Sequence, residues 1–157
     1  YKRGFEEGHL NSSLYYGMIY YIDQPEFGIK ANHKRLNKYV KFAADHGSTE
    51  AMRLYGNFLS ETGKSPEKIK KYFKMGIEMG DPNCMVTYAC HLIDGNGVPQ
   101  NYEKAAKYLK MGADLGHKDC IGIYAKLLEE GKGVEKNEEE ARRYRLLIQQ
   151  NDNCLIQ

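Results

Sequence analysis

A chain of 157 residues, 41% of them apolar, is long enough for one domain or a modest array of small units. A formal charge of +2 is too small to mark a nucleic-acid binder, and no apolar run is long enough to span a bilayer or to form a signal-peptide core. The four cysteines, Cys84, Cys90, Cys120 and Cys154, contain no Cys-x-x-Cys pair, so neither a zinc site nor a dense disulfide framework is indicated.

Read from the N-terminus, the predicted elements recur. The opening "YKRGFEEG" reads as the end of a helix stopped by Gly8, as expected of a piece cut from a longer array. A helix around Tyr16 follows, then the loop "DQPEFGIKAN" and a helix "NKYVKFAADHG" that stops at Gly47. The next pair surrounds Tyr55 and Tyr72, with the short connection "ETGKSP" and a stop at Gly80. A third pair, around Tyr88 and Tyr108, is joined by "DGNGVPQN" and stops at Gly116; a fourth, around Tyr124 and Tyr144, is joined by "EEGKGVEKN". "KKYFKMGIEMG" (70–80) lies over "AKYLKMGADLG" (106–116) at an offset of 36 residues. Such a period is the mark of a repeat architecture. The expected units are the second helix of a truncated repeat at 1–8, then repeats at 9–47, 48–80, 81–116 and 117–152. Residues 153–157 read as a tail or the start of a further repeat, since "DNCLIQ" echoes "PNCMVT".

Two tyrosine columns organise each unit. Tyr16, Tyr55, Tyr88 and Tyr124 carry a small residue four positions earlier (Ser12, Ala51, Cys84, Cys120) and another immediately after (Gly17, Gly56, Ala89, Ala125). Those spacings form one helical stripe on which a neighbouring helix can approach closely. Tyr39, Tyr72, Tyr108 and Tyr144 form the second column, at separations of 23, 17, 20 and 20 from the first, so variation is confined to the connecting loop. Asn32, Ser65, Asn101 and Asn137 stand seven residues before the second column, where a helix cap is wanted, and Glu140 completes a capping box with Asn137. A two-helix unit of this size cannot bury its apolar stripe alone, so the fold class predicted is all-α, a stacked α/α solenoid.

At this point the residues resemble the Sel-1-like repeat, a relative of the tetratricopeptide repeat: a small-x-x-x-aromatic-small helix, a "G-x-G-V" loop, then "K-A-x-x-Y-x-x-x-(A/G)-x-x-x-G". The resemblance implies a right-handed superhelix of about four repeats plus a partial one. Tyr at the first column, where that family usually has Leu, touches packing and not topology. The resemblance also implies a concave groove built from the first helices. Its lining positions fall on Leu14, Met18 and Tyr21, on Arg53, Asn57 and Ser60, on Val86, Cys90 and Ile93, and on Gly122, Lys126 and Glu129. Leu14, Met18 and Tyr21 are the expected apolar anchor, and Arg53 and Asn57 would fix a ligand backbone or carboxylate; Val86, Cys90 and Lys126 extend the groove.

Sites for chemistry are not indicated. "DGNG" lacks the ligand spacing of an EF-hand and the Lys-Ser/Thr ending of a phosphate loop, so it reads as a turn. None of the five His recurs beside an acid or a nucleophile, and no cofactor is expected. Cys84 and Cys120 occupy the small-residue column and are expected in the core. The charge is uneven: residues 30–74 hold eleven Lys/Arg against four acids, while 75–157 hold ten against thirteen. The basic excess, including Lys34, Arg35, Lys38, Lys68 and Lys71, falls on the second helices and offers an outer face to an acidic partner. The predicted function is a non-catalytic scaffold for a protein or peptide partner, with no nucleic acid expected. The alternative is the regulatory or targeting arm of a larger enzyme such as a protein kinase.

Overall fold

Apolar residues three and four apart, bounded by capping residues and glycines, form helices throughout residues 33–153, which with Tyr15 are the residues described by the computed structural model. Among them there are seven helices and no strand: α1 His33–Asp45, α2 Thr49–Glu61, α3 Pro66–Glu78, α4 Pro82–Asp94, α5 Tyr102–Asp114, α6 Lys118–Glu130 and α7 Glu138–Asn153. The chain divides into two compact units, Tyr1–Met79 and Gly80–Gln157.

In the first unit α2 packs against both α1 and α3. The small-residue stripe sets how closely: Gly56 on α2 lies under the Phe73 ring, where an added Cβ would come within 2.7 Å of it. Tyr55 meets Tyr72 edge to face with ring centroids 4.6 Å apart, so the two tyrosine columns are partners across one repeat. The Tyr72 hydroxyl then donates to Asp45 Oδ1 at 2.8 Å, and Lys41 Nζ donates to the same carboxylate. Burial, then the bond to Asp45, pushes the Tyr72 hydroxyl up to about 12. Although burial opposes ionisation of Asp45, the bonds from Lys41 and Tyr72 hold it below the ordinary carboxylate value.

The second unit is built the same way, with α4 against α5, α5 against α6, α6 against α7, and α4 touching α6. Tyr88 and Tyr108 stand 5.4 Å apart, and Tyr124 and Tyr144 pack edge to face at 5.1 Å. Tyr144 donates to Asp114 at 2.9 Å and accepts from Lys110 at 3.1 Å, reproducing the Lys–Asp–Tyr link of the first unit. Ala89, Ala125, Cys84 and Cys120 are completely buried, as the column demands.

Helix ends explain the conserved spacing of the elements within this chain. The stop at Gly116 is a Schellman turn: His117 N–H donates to Gly112 O at 3.0 Å and Gly116 N–H to Ala113 O at 2.8 Å, with Gly116 at φ +80°. The glycine loops close on their own helices. Asn96 and Asn101 donate to the His91 and Leu92 carbonyls at 3.0 and 2.8 Å, and His91 Nδ1–H donates to Asn96 O at 2.8 Å. "DGNG" is therefore a self-satisfied elbow, its backbone donors already committed.

Of the predicted caps, Asn101 and Asn137 accept from Lys104 and Glu140 N–H at 2.8 and 3.0 Å. Two expectations are corrected. Ser65 stands at the cap of α3, at φ −50° and ψ 128°, without a side-chain cap bond, so the shortened loop enters the helix on its backbone alone. Glu140 does not close a capping box: the Asn137 N–H is taken by Leu128 O at 2.9 Å, so the carboxylate meets Asn137 Nδ2 at 3.4 Å. Asn32 and Gly8 lie outside the described residues.

The first helices are capped by Ser48, Asp81 and His117, which occupy equivalent positions. Asp81 accepts from Asn83 and Cys84 N–H at 2.7 and 3.3 Å, whereas His117 Nδ1 accepts from Cys120 N–H at only 3.4 Å. Replacing His117 with Asp supplies a charged acceptor at the positive end of α6. The substitution is expected to stabilise the chain by about 0.5–1 kcal/mol, read as a higher urea midpoint by circular dichroism; an unchanged or lower midpoint would show that the imidazole cap is already adequate.

Candidate functional site

Helix periodicity leaves two kinds of position on each first helix: those committed to the packing columns and those turned away from them. On α2, Ala51, Tyr55 and Gly56 are buried, while Arg53 and Asn57, four residues apart, are half-buried on another face. Ser60, expected to continue that row, is only 7% exposed, which closes it to a ligand. Leu14, Met18 and Tyr21, the expected apolar anchor, lie outside the described residues.

In the second unit, Val86 and Cys90 are half-buried one turn apart on α4, and Ile93 continues their row. Gly122 and Lys126 hold the corresponding positions on α6, which α4 touches. A Cβ added to Gly122 would meet nothing within 4 Å, so there is open space in front of the helix at this point. Lys126 is exposed and pairs loosely with Glu130 at 3.9 Å, while Glu129 is drawn into a bond with Arg145 at 2.8 Å. Burial first, then the carboxylates of Asp94 and Asp119, raises the Cys90 thiol above its ordinary value. Cys90 is thus a neutral, partly accessible thiol flanked by two acids.

Cys84 and Cys120 serve a different purpose. Both are fully buried, and burial, reinforced by Asp119 and Cys90, pushes the Cys120 thiol up to about 12, far from any thiolate chemistry at neutral pH. Its Sγ points to Pro82 O at 3.8 Å and fills the hollow over Gly112. Among the described residues no group of three His, Cys, Asp or Glu could hold a metal ion, and no helix is long and apolar enough to cross a membrane.

Of the basic residues expected to offer an outer face, Lys34, Arg35, Lys38, Lys68 and Lys71 are each exposed. Lys38 and Lys71 rest over the rings of Tyr39 and Tyr72, 5.5 and 5.4 Å from their centroids. Sequence reasoning missed a set of exposed apolar residues. Met79, Met111, Leu115, Leu146 and Leu147 are 57%, 39%, 62%, 47% and 43% exposed. The signal was present in the repeat register, in which Lys71, Lys107 and Arg143 each precede an apolar residue by one turn.

The loop-bearing helix pairs carry the likeness to a known family. Residues 82–117 and 122–144 match the Sel1 repeat. Over those stretches the chain carries Sel1 repeats. No curated protein matches it in sequence. Solved Sel1 repeat proteins share its fold. One is a protective antigen present in uropathogenic Escherichia coli strains and displaying an SLR fold, with TM-score 0.76 and 19% identity over 91% of this chain and 31% of that one. Another is a Sel1 repeat protein from Oxalobacter formigenes, with TM-score 0.76 and 21% identity over 93% of this chain and 60% of that one. The chain therefore spans under two thirds of the length of either neighbour. The all-α solenoid class read from the tyrosine columns is the fold of these Sel1 repeat proteins.

Proposed function

We propose that the chain is a non-catalytic scaffold whose Sel1 repeats, read as 9–47, 48–80, 81–116 and 117–152, bind a peptide or partner protein along the first helices. The observation that carries this reading is the open space at Gly122. Gly122 and exposed Lys126 lie on α6, and half-buried Val86 and Cys90 on α4, which touches it, while the column residues of both helices are buried. Side chains committed to packing have no freedom for chemistry, whereas a row of partly open positions on rigid helices suits recognition. Sel1 repeats commonly serve as interaction scaffolds, which supports the assignment. Arg53 and Asn57, on α2 of the other unit, are groups able to hold a ligand carboxylate or backbone, and exposed Lys34, Arg35, Lys38, Lys68 and Lys71 offer contact to an acidic region of the partner.

The test is capture by the intact protein, compared with a Val86→Asp/Gly122→Arg variant. Both positions are partly open, so the helical signal and its melting are expected to stay unchanged. A partner captured by the parent should be retained at least about tenfold more weakly by the variant. Equal retention would sink the first-helix row as the binding surface.

A further inference from the structure

Within the Gly80–Gln157 unit, the pair α4–α5 shows how one repeat receives the next. α5 packs against α6, the first helix of the repeat that follows it. Gly112 lies against Cys120 of α6, so close that an added Cβ would come within 2.3 Å of the sulfur. The elbow at Gly133 rests on the backbone of Tyr102, and Lys132 stands over the Tyr102 ring. Ala106 and Leu109 are shut in as well, at 1% and 0% exposure.

One repeat later the same positions carry different chemistry. Glu138 stands in the place of Tyr102, Arg142 in that of Ala106 and Arg145 in that of Leu109. Ile148 replaces Gly112, whose bare backbone admits Cys120, and Glu129 replaces Ile93 on the first helix. The change is confined to one side of α7, because Ala141 keeps the alanine of Ala105 and both are completely buried. Arg142 and Arg145 are exposed, and with Glu129 and Glu138 they line one open hollow, two guanidinium groups against two carboxylates. Arg145 already donates to Glu129 at 2.8 Å.

A helix laid on this face as α6 lies on α5 would strip water from four charges, a loss that their mutual attraction repays only in part. It would also meet the Ile148 side chain where the α5–α6 approach leaves room for none. We infer that α7 caps the C-terminal end of the stack, with a charged, self-paired face on the side where α5 receives a further repeat. A polar terminal face is what keeps an array of stacked pairs soluble. Chain that follows α7 then leaves the stack rather than extending it. The first-helix row proposed above accordingly takes its last lining positions, Gly122 and Lys126, from α6.

The test extends the intact chain by a copy of residues 117–152 joined after Asp152, which keeps the repeat register and offers α7 a first helix of the kind that α5 accepts. Hydrogen exchange is then followed by mass spectrometry. On the parent α7 the copied helix should exchange at least about tenfold faster than α6 itself, because an unstacked pair cannot bury its apolar stripe. The variant carries Glu129→Ile, Glu138→Tyr, Arg142→Ala, Arg145→Leu and Ile148→Gly in the original α6 and α7, the residues found one repeat earlier. On it the copied helix should stack and its exchange should slow by about tenfold or more. Arg142→Ala/Arg145→Leu alone alters only exposed side chains and should give an intermediate slowing, which keeps the test decisive where the fivefold variant melts early. Equal exchange of the copied helix on parent and variants, whether it stacks on all or on none, overturns the inference. So does protection on the parent α7 that matches that of α6. Partner capture plays no part in this readout, so either result leaves the first-helix reading to its own test.

Discussion

Replacing Gly133 with alanine is expected to cost about 3 kcal/mol or more, the largest loss from any single methyl group in the second unit. Two terms add. Gly133 sits at φ +71°, a backbone conformation that an L-residue enters at about 1–2 kcal/mol. Its missing side chain is also the reason the elbow between α6 and α7 can rest on the start of α5. An added Cβ would lie 2.2 Å from the Tyr102 carbonyl carbon, 2.3 Å from its oxygen and 2.6 Å from the Glu103 nitrogen. These are backbone atoms at a helix N-terminus, with no rotamer by which to move aside, so the elbow must lift and take Lys132, which stands over the Tyr102 ring at 5.9 Å, with it. Gly116 provides the control: its φ is +80°, and a Cβ there meets nothing within 4 Å. Gly116→Ala should therefore cost only the backbone term, about 1–2 kcal/mol. Urea titrations of both variants separate the terms, and equal losses would mean that the elbow moves off Tyr102 freely.

Gly133 also shows where sequence reasoning stops. The "G-x-G-V" loop was legible as a turn because its spacing from both tyrosine columns repeats, and a turn of that kind calls for glycine. Which of its two glycines is pressed against another repeat is a tertiary fact with no local signature. The tyrosine columns were legible for the opposite reason: Tyr55 and Tyr72, Tyr88 and Tyr108, and Tyr124 and Tyr144 pack on each other, so their period is the period of the contact itself. Asp45 and Asp114 were overlooked because each looks like an ordinary partner for the lysine one turn before it. Only the fold brings the next repeat's Tyr hydroxyl to the same carboxylate. Glu140 was misjudged through local pattern alone, since the N–H it was expected to accept from is already satisfied by Leu128, on another helix. Met79, Met111, Leu115 and Leu147 could each be placed by the register, but exposure is a statement about what does not pack, and the sequence offers no partner list from which to subtract.

The small-residue columns make a sharper test, because one pair predicts a change of sign. Gly112 on α5 lies under Cys120 on α6, and a Cβ added there would come within 2.3 Å of Cys120 Sγ and 3.0 Å of its Cβ. In isolation Gly→Ala inside a helix is favourable by about 1 kcal/mol. Against Cys120, the overpacking term of about 1–3 kcal/mol outweighs that gain, so Gly112→Ala is expected to destabilise. Cys120→Ala alone should also destabilise, since it empties a fully buried hollow. Combined, the two changes are complementary: the methyl on residue 112 enters the space the sulfur has left, with Met85 Sδ at an ordinary 3.7 Å, and the helix-propensity gain is recovered. Gly112→Ala should then stabilise the Cys120→Ala background, a coupling of about 1–3 kcal/mol in a double-mutant cycle. Additive losses would mean that Sγ swings away from its place over Gly112 toward free volume elsewhere. The close approach of α5 and α6 would then be set by other buried side chains of the two helices, and the glycine-over-cysteine fit would be incidental to it.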